Sequence, residues 1–264
     1  MSFSLSCGGT NLFNNTGNPD TEEALLEAGL KYINKGDYDS AITALDKITS
    51  AFRGTERVTK AVAAAYAGKC GLTFFDFVNG LSSATASTPM LLFMNAFQNI
   101  TVSPSYCDNA QAAIEARYGT NSALRSTDIN FFLAVLGMAK VGAYLRDIAD
   151  TDQDGAVDAT FTSACTNNAA NITDGEIKEV GSGLGLLLSN ITAISAALAG
   201  NAAIAALNGL NTACGASCQI TDPNSASWTG GAAGSIMLIR RILDEQDFGI
   251  MTNCNDATLV TCCP

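Results

Sequence analysis

The sequence predicts an all-α fold, a helical bundle or short solenoid closed by disulfides. Three observations predict it. Alanine is abundant and β-branched alternation is scarce. Apolar residues recur at helical spacing from residue 22 onward. Nine cysteines, at positions 7, 70, 107, 165, 214, 218, 254, 262 and 263, are spread along the chain rather than gathered in paired metal-binding motifs. With 264 residues and 47% hydrophobic content, the chain is long enough to bury about 70% of its extended surface. Residues 1–19 read as a flexible N-terminal tether and 20–264 as a single helical domain.

The elements follow in order. Asp20 or Thr21 can cap a helix over 20–35, with Leu25, Leu26, Gly29, Leu30 and Ile33 on its apolar stripe. Asn34-Lys-Gly-Asp37 is a turn. A second helix is expected from Tyr38 to Phe52, with Ala41, Ile42, Leu45 and Ile48 inward, and a third from Thr55. Pro89 and Pro104 mark starts for helices over 89–100 and 105–118. A helix over 127–147 is apolar on most faces and belongs at the centre. Residues 181–210 are the most hydrophobic stretch, but Asn190, Asn201 and Asn208 interrupt them and no basic flank orients them. They read as closely packed buried helices breaking at Gly200-Asn201, not as a membrane span. A last helix starts near Ile236, with Arg240 and Arg241 expected to pair with Asp244 and Glu245 on the surface. Trp228, in a polar turn, is expected to cap the core.

Charge excludes several functions. Lys and Arg number 14 against 25 acidic residues, a net charge of −11. That disfavours nucleic acid, whose phosphates need cations, and docking on anionic lipid. There is no histidine, which removes Ser-His-Asp and Cys-His catalysis, histidine-ligated metals and histidine pH switches. The Gly-rich run before Ile236 carries no lysine and is a poor phosphate loop. No catalytic or organic-cofactor site is recognisable.

Setting Cys7 aside leaves eight cysteines, compatible with four disulfides in any of 105 pairings. The adjacent Cys262 and Cys263 are expected to take different partners, and the tail from Ile250 to be tied to the body. Oxidised cysteines imply an extracytoplasmic address. Met1-Ser-Phe-Ser-Leu-Ser6 before Cys7 resembles the end of a bacterial lipoprotein signal, although Ser4 stands where that family usually has Leu. The resemblance implies lipidation of Cys7 and placement in the periplasm or at the outer membrane. A free or intermolecular thiol is the alternative.

Gly29, Tyr32, Gly36-Asp37-Tyr38 and Ala41 fall at the small, aromatic, turn and contact positions of a 34-residue helix–turn–helix, and Ala63 and Tyr66 repeat the first two. Residues 20–80 thereby resemble tetratricopeptide repeats. Phe75 replaces the expected Ala of the second repeat, and Arg53 stands where the first repeat usually closes with Pro. The resemblance implies stacked hairpins that hold a protein partner.

The sharpest motif is Asp150-Thr-Asp152-Gln-Asp154-Gly155-Ala156-Val157-Asp158. Carboxylates at alternate positions of a tight loop turn inward, as a hard cation with six to eight oxygen ligands requires. Gly155 permits the reversal, Ala156 offers a carbonyl, Val157 tethers the loop and Asp158 completes it. The segment resembles the EF-hand and the related thrombospondin-type and dockerin loops, which implies Ca²⁺. Phe161 occupies the place of the EF-hand's bidentate Glu, so either Asp158 coordinates directly or a remote carboxylate, with Asp174, Glu176 and Glu179 as candidates, closes the shell. No clear second helix follows, which favours a structural clamp over a sensor.

These readings suggest a non-enzymatic, calcium-binding, extracytoplasmic scaffold or partner-binding lipoprotein. The alternative is a periplasmic carrier with an apolar pocket lined by 181–210. A hydrolase working through carboxylates and Ca²⁺ is the least supported, for want of a nucleophile motif.

Overall fold

The computed structural model describes residues 20–73, 77, 87–194, 202–256, 259 and 261–263. The proposed tether, Cys7 and the break at 200–201 lie outside them. Among the described residues the protein is all-α, with two isolated bridges, Asn167–Ile172 and Glu245–Cys254, and no sheet.

Helix α1 (Glu22–Asn34) is capped by Thr21, whose hydroxyl accepts from Ala24 N at 3.3 Å. Gly36, at φ +73°, turns the chain into α2 (Tyr38–Asp46), capped by Asp37. A β-carbon on Gly29 would lie 2.7 Å from the Leu45 side chain, so the glycine sets the approach of the two helices. The helix expected over 38–52 is interrupted: α2 stops at Asp46, and Ser50–Arg53 (α3) forms a separate turn. Helix α4 (Glu56–Cys70) packs on both members of the hairpin. Leu25, Leu26, Ala41, Leu45, Val58 and Val62 form the core of this N-terminal layer.

The larger core lies behind α4. Helix α5 (Pro89–Asn95) starts as its proline predicts, with Thr88 as cap, but ends five residues short of the expected 100. Then come α6 (Ser105–Tyr118) and α7 (Thr127–Ala149). Helix α7 has 23 residues and is long and apolar enough to cross a membrane, yet most of it is buried inside the bundle. Its closest partner is α8 (Asp174–Ser189). A β-carbon on Gly137 would meet Leu187 N at 2.6 Å and Gly183 O at 2.7 Å, so the two backbones touch there. Helix α8 starts seven residues before the expected 181. Thr173 and Glu176 form a reciprocal capping box that the apolar pattern did not reveal. Short α9 (Ile191–Ile194), α10 (Ala202–Cys214) and α11 (Ser235–Asp244) complete the described helices. Trp228 is buried over Gly181, its indole donating to Asp222 O at 2.9 Å.

All eight cysteines beyond Cys7 are paired: Cys70–Cys107, Cys165–Cys263, Cys214–Cys218 and Cys254–Cys262. Cys262 and Cys263 do take different partners, and Cys263 ties the C-terminal tail to the segment after α7. The arginine expectation needs correction. Arg240 is buried, not superficial. It donates to the carbonyls of Ala164 (2.7 Å), Thr166 (2.9 Å) and Ile172 (3.2 Å) and pairs with Asp174. Asp244 and Glu245 are buried too, and serve other groups. Asp244 accepts from Asn253, and Glu245 accepts from the N–H groups of Asp247 and Phe248.

Candidate metal centre

The acidic loop begins where α7 ends. Asp150 is the last residue held by the helix, its N–H bonding to Arg146 O, and its side chain turns inward to complete burial. Two left-handed residues, Gln153 at φ +69° and Gly155 at φ +87°, fold the chain back. Gly155 has the role its position implied. The loop closes on the helix through Asp158 N to Ala149 O at 2.7 Å. It is held against α5 by Gln98, whose amide donates to Asp154 O at 2.6 Å, and by Asn95, whose amide nitrogen faces Gly155 O when oriented to satisfy its neighbours. Val157 packs against the larger core and Phe161 is buried in it. The residue in place of the EF-hand glutamate is therefore a core residue.

This folding gathers one carboxylate oxygen each from Asp150, Asp152 and Asp158 within 4.8 Å of one another. Two oxygens each about 2.4 Å from a common Ca²⁺ can stand no more than about 4.8 Å apart, so the three can share one ion. Asp158 Oδ2 accepts from Thr151 N at 2.9 Å and from its hydroxyl. Asp150 Oδ2 accepts from Gly155 N at 3.2 Å, while Asp150 Oδ1 is buried with no hydrogen-bond partner. A buried carboxylate oxygen without a donor is strongly disfavoured unless a cation faces it. Burial pushes the Asp150 carboxyl above its ordinary range. Hydrogen bonds from Gly155 and Asp154 oppose the shift, the Asp154 charge adds to it, and Arg146 gives a smaller opposing pull. Asp158 is held below its ordinary value by its bonds to Thr151.

The other expected ligands are placed differently. Asp154 Oδ1 accepts from Ala156 N at 2.7 Å, and Asp154 is not among the three gathered carboxylates. Glu176 and Glu179 do not join the group. Glu176 is committed to the capping box with Thr173, and Glu179 lies 3.1 Å from Lys140 Nζ. A second acidic group, Cys165, Asp244 and Cys263, offers no thiolate, because both sulfurs are in a disulfide.

Two functional-looking side chains had no clear sequence signal. Lys140 is fully buried in the middle of α7, and Arg240 is buried in α11. The only hints were a lone cation within the apolar run of α7 and an arginine pair within the apolar run of α11. Elsewhere, a groove of about 460 Å³ runs between α3, α4 and α6, lined by Arg53, Thr59, Val62, Ala113 and Arg117.

No family model, curated protein or solved structure matches the chain. Its fold and site define an all-helical, disulfide-linked protein with a candidate aspartate-rich cation centre.

Proposed function

We propose that this protein is a non-enzymatic helical scaffold that works outside the cytoplasm, with a Ca²⁺ ion held by the loop from Asp150 to Asp158. The observation that carries the reading is the buried, partnerless Oδ1 of Asp150 beside Asp152 and Asp158. All-oxygen, all-carboxylate donors suit a hard cation such as Ca²⁺ better than a thiophilic metal. Extracellular calcium modules work at about 10⁻⁴–10⁻³ M, so even a partly hydrated three-aspartate site would fill there. The four disulfides fit the same compartment, since they persist where conditions oxidise. A lipid on Cys7 would place the scaffold at a bacterial outer membrane or in the periplasm.

The N-terminal hairpin and α4, read as tetratricopeptide-like, are the element that would hold a protein partner. The tight α7–α8 contact at Gly137 and Gly183 supports a scaffold over a carrier. On the described part of 181–210, that contact leaves helix backbones touching where the carrier reading needs a pocket.

Titration of Ca²⁺ into chelator-treated protein by calorimetry tests the metal reading. One site in the range just given is expected for the native chain and none for Asp150→Asn. Absence of heat and of competition with Tb³⁺ in the native chain would reject it.

A further inference from the structure

Lys140 is the one charged residue of α7 that is wholly buried, and the calcium reading does not use it. Its Nζ sits in contact with Asp108 Oδ1 of α6 and 3.1 Å from Glu179 Oε2 of α8, and it donates to Ser182 Oγ. Neither of those two carboxylate oxygens has a hydrogen bond of ordinary geometry, so the ion pair alone holds them. Tyr144, one turn along α7, donates its hydroxyl to the other oxygen of Asp108, Oδ2, at 3.0 Å. An amine, an acyl carbon, a second carboxylate and a hydroxyl donor thus converge where three helices meet.

We propose that Lys140 and Asp108 react to form an intramolecular amide, a covalent bridge between α6 and α7, with Glu179 carrying the protons. The ammonium lies between two carboxylates, one of them, Glu179, 3.1 Å away and placed to take a proton from it. Glu179 takes that proton and relays it to Asp108 Oδ1, which leaves a neutral amine against a neutral carboxyl. The Nζ lone pair attacks Cγ, and the charge that develops on Oδ2 is met by the Tyr144 hydroxyl. Nζ loses a second proton and the Cγ–Oδ1 bond breaks. Oδ1 departs as water, having received two protons by way of Glu179. The sum is ammonium plus carboxylate giving amide plus water. Glu179 ends as it began, and no oxidant or co-substrate is needed. Fixing the two groups in contact supplies the effective concentration that free lysine and aspartate lack.

Burial supports this assignment by pushing the Glu179 carboxyl above its ordinary range; the Lys140 charge opposes the shift and Asp108 adds to it. A carboxyl poised in this way is suited to accept and return protons. The position has a structural use as well. Cys107, next to Asp108, already ties α6 to α4. The amide would carry the covalent chain of ties onward into α7 and would survive reduction.

The test is the intact mass of the full chain after reduction and removal of metal. The expected native mass is one water below that of the sequence. Tryptic digestion should join the peptide holding Asp108 to the peptide holding Lys140, which remains uncut at Lys140. Asp108→Ala and Glu179→Gln should each restore the full mass, whereas Asp108→Asn should give the bridged product by loss of ammonia. A native chain at full sequence mass overturns the proposal, whatever the variants do. A Glu179→Gln chain that bridges as completely as the native one overturns the role given to Glu179.

Discussion

Replacing Asp150 by Asn should have opposite effects with and without calcium. The carboxylate is buried, Gly155 N occupies Oδ2, Oδ1 has no hydrogen-bond partner, and one of the two oxygens lies within 4.8 Å of oxygens of Asp152 and Asp158. Without an ion, that arrangement sets like charges against one another under partial desolvation. Asn keeps an acceptor for Gly155 N and removes one negative charge, so in chelator the variant should melt at or above the native temperature. With an ion the sign reverses. For a dissociation constant of about 10⁻⁴–10⁻³ M, 10 mM Ca²⁺, roughly 10–100 times that constant, stabilises the native chain by about 1.4–2.7 kcal/mol. At about 2–4 °C per kcal/mol for a chain of this size, the native melting point should rise by roughly 3–10 °C. The variant should lose nearly all of that rise. The assay is thermal unfolding by calorimetry, with disulfides intact, in chelator and in 10 mM Ca²⁺. Equal melting of the native chain in both would refute the reasoning, as would a full calcium shift in Asp150→Asn.

Other changes probe the frame around the loop. Gly137→Ala puts a methyl group against the α8 backbone at Leu187 N and Gly183 O. No side chain can move aside there, and a loss of about 1–3 kcal/mol in urea unfolding is expected. Arg240→Met strips donors from the carbonyls of Ala164, Thr166 and Ile172 and leaves Asp174 without its ion pair. It should cost about 3 kcal/mol by the same assay, although the new side chain is apolar. Glu245 is fully buried, and burial raises its carboxyl against the hydrogen bonds from Asp247 and Phe248. Its folded value lies above its unfolded one, so its share of stability is whole at low pH and falls as pH rises through the folded value. The native urea midpoint should therefore drop relative to that of Glu245→Gln as the pH rises above the ordinary glutamate range, about 4, and parallel pH profiles would contradict this.

The loop was legible because its chemistry is local. Alternating aspartates, a glycine at the turn and a following apolar anchor lie within nine consecutive residues, and Gly155 and Val157 behave as their positions imply. The helical class was legible for a similar reason, since periodicity and prolines report neighbours along the chain. Three-dimensional arrangement was not. Glu176 is the third residue of a Thr-x-x-Glu start, a local sign that could have been read as a cap. Glu179 differs, because its partner Lys140 is 39 positions away and only the packing of α7 on α8 joins them. Arg240 looked like a helix-surface partner of Asp244 by spacing. The carbonyls it satisfies belong to an irregular segment that has no pattern of its own. The turn after Asp46, too, divides a run of good helical spacing.

The segment that leaves the loop decides what an ion there can do. In a calcium sensor the chain after the ion enters a helix that is free to swing. Here it enters turns at 159–173, and the next helix starts at Asp174. That stretch is fixed at both ends and in the middle. Phe161 is set in the core, Cys165 is bonded to Cys263, and Arg240 gathers the carbonyls of Ala164, Thr166 and Ile172. Upstream, α7 is buried along most of its length and in backbone contact with α8. Among the described residues, the segments on both sides of the loop are thus tied to the body of the protein. Binding energy at Asp150, Asp152 and Asp158 would therefore go into the stability of the turn that joins α7 to the disulfide-bonded face, and on the proposed reading a cation there would act as a clamp.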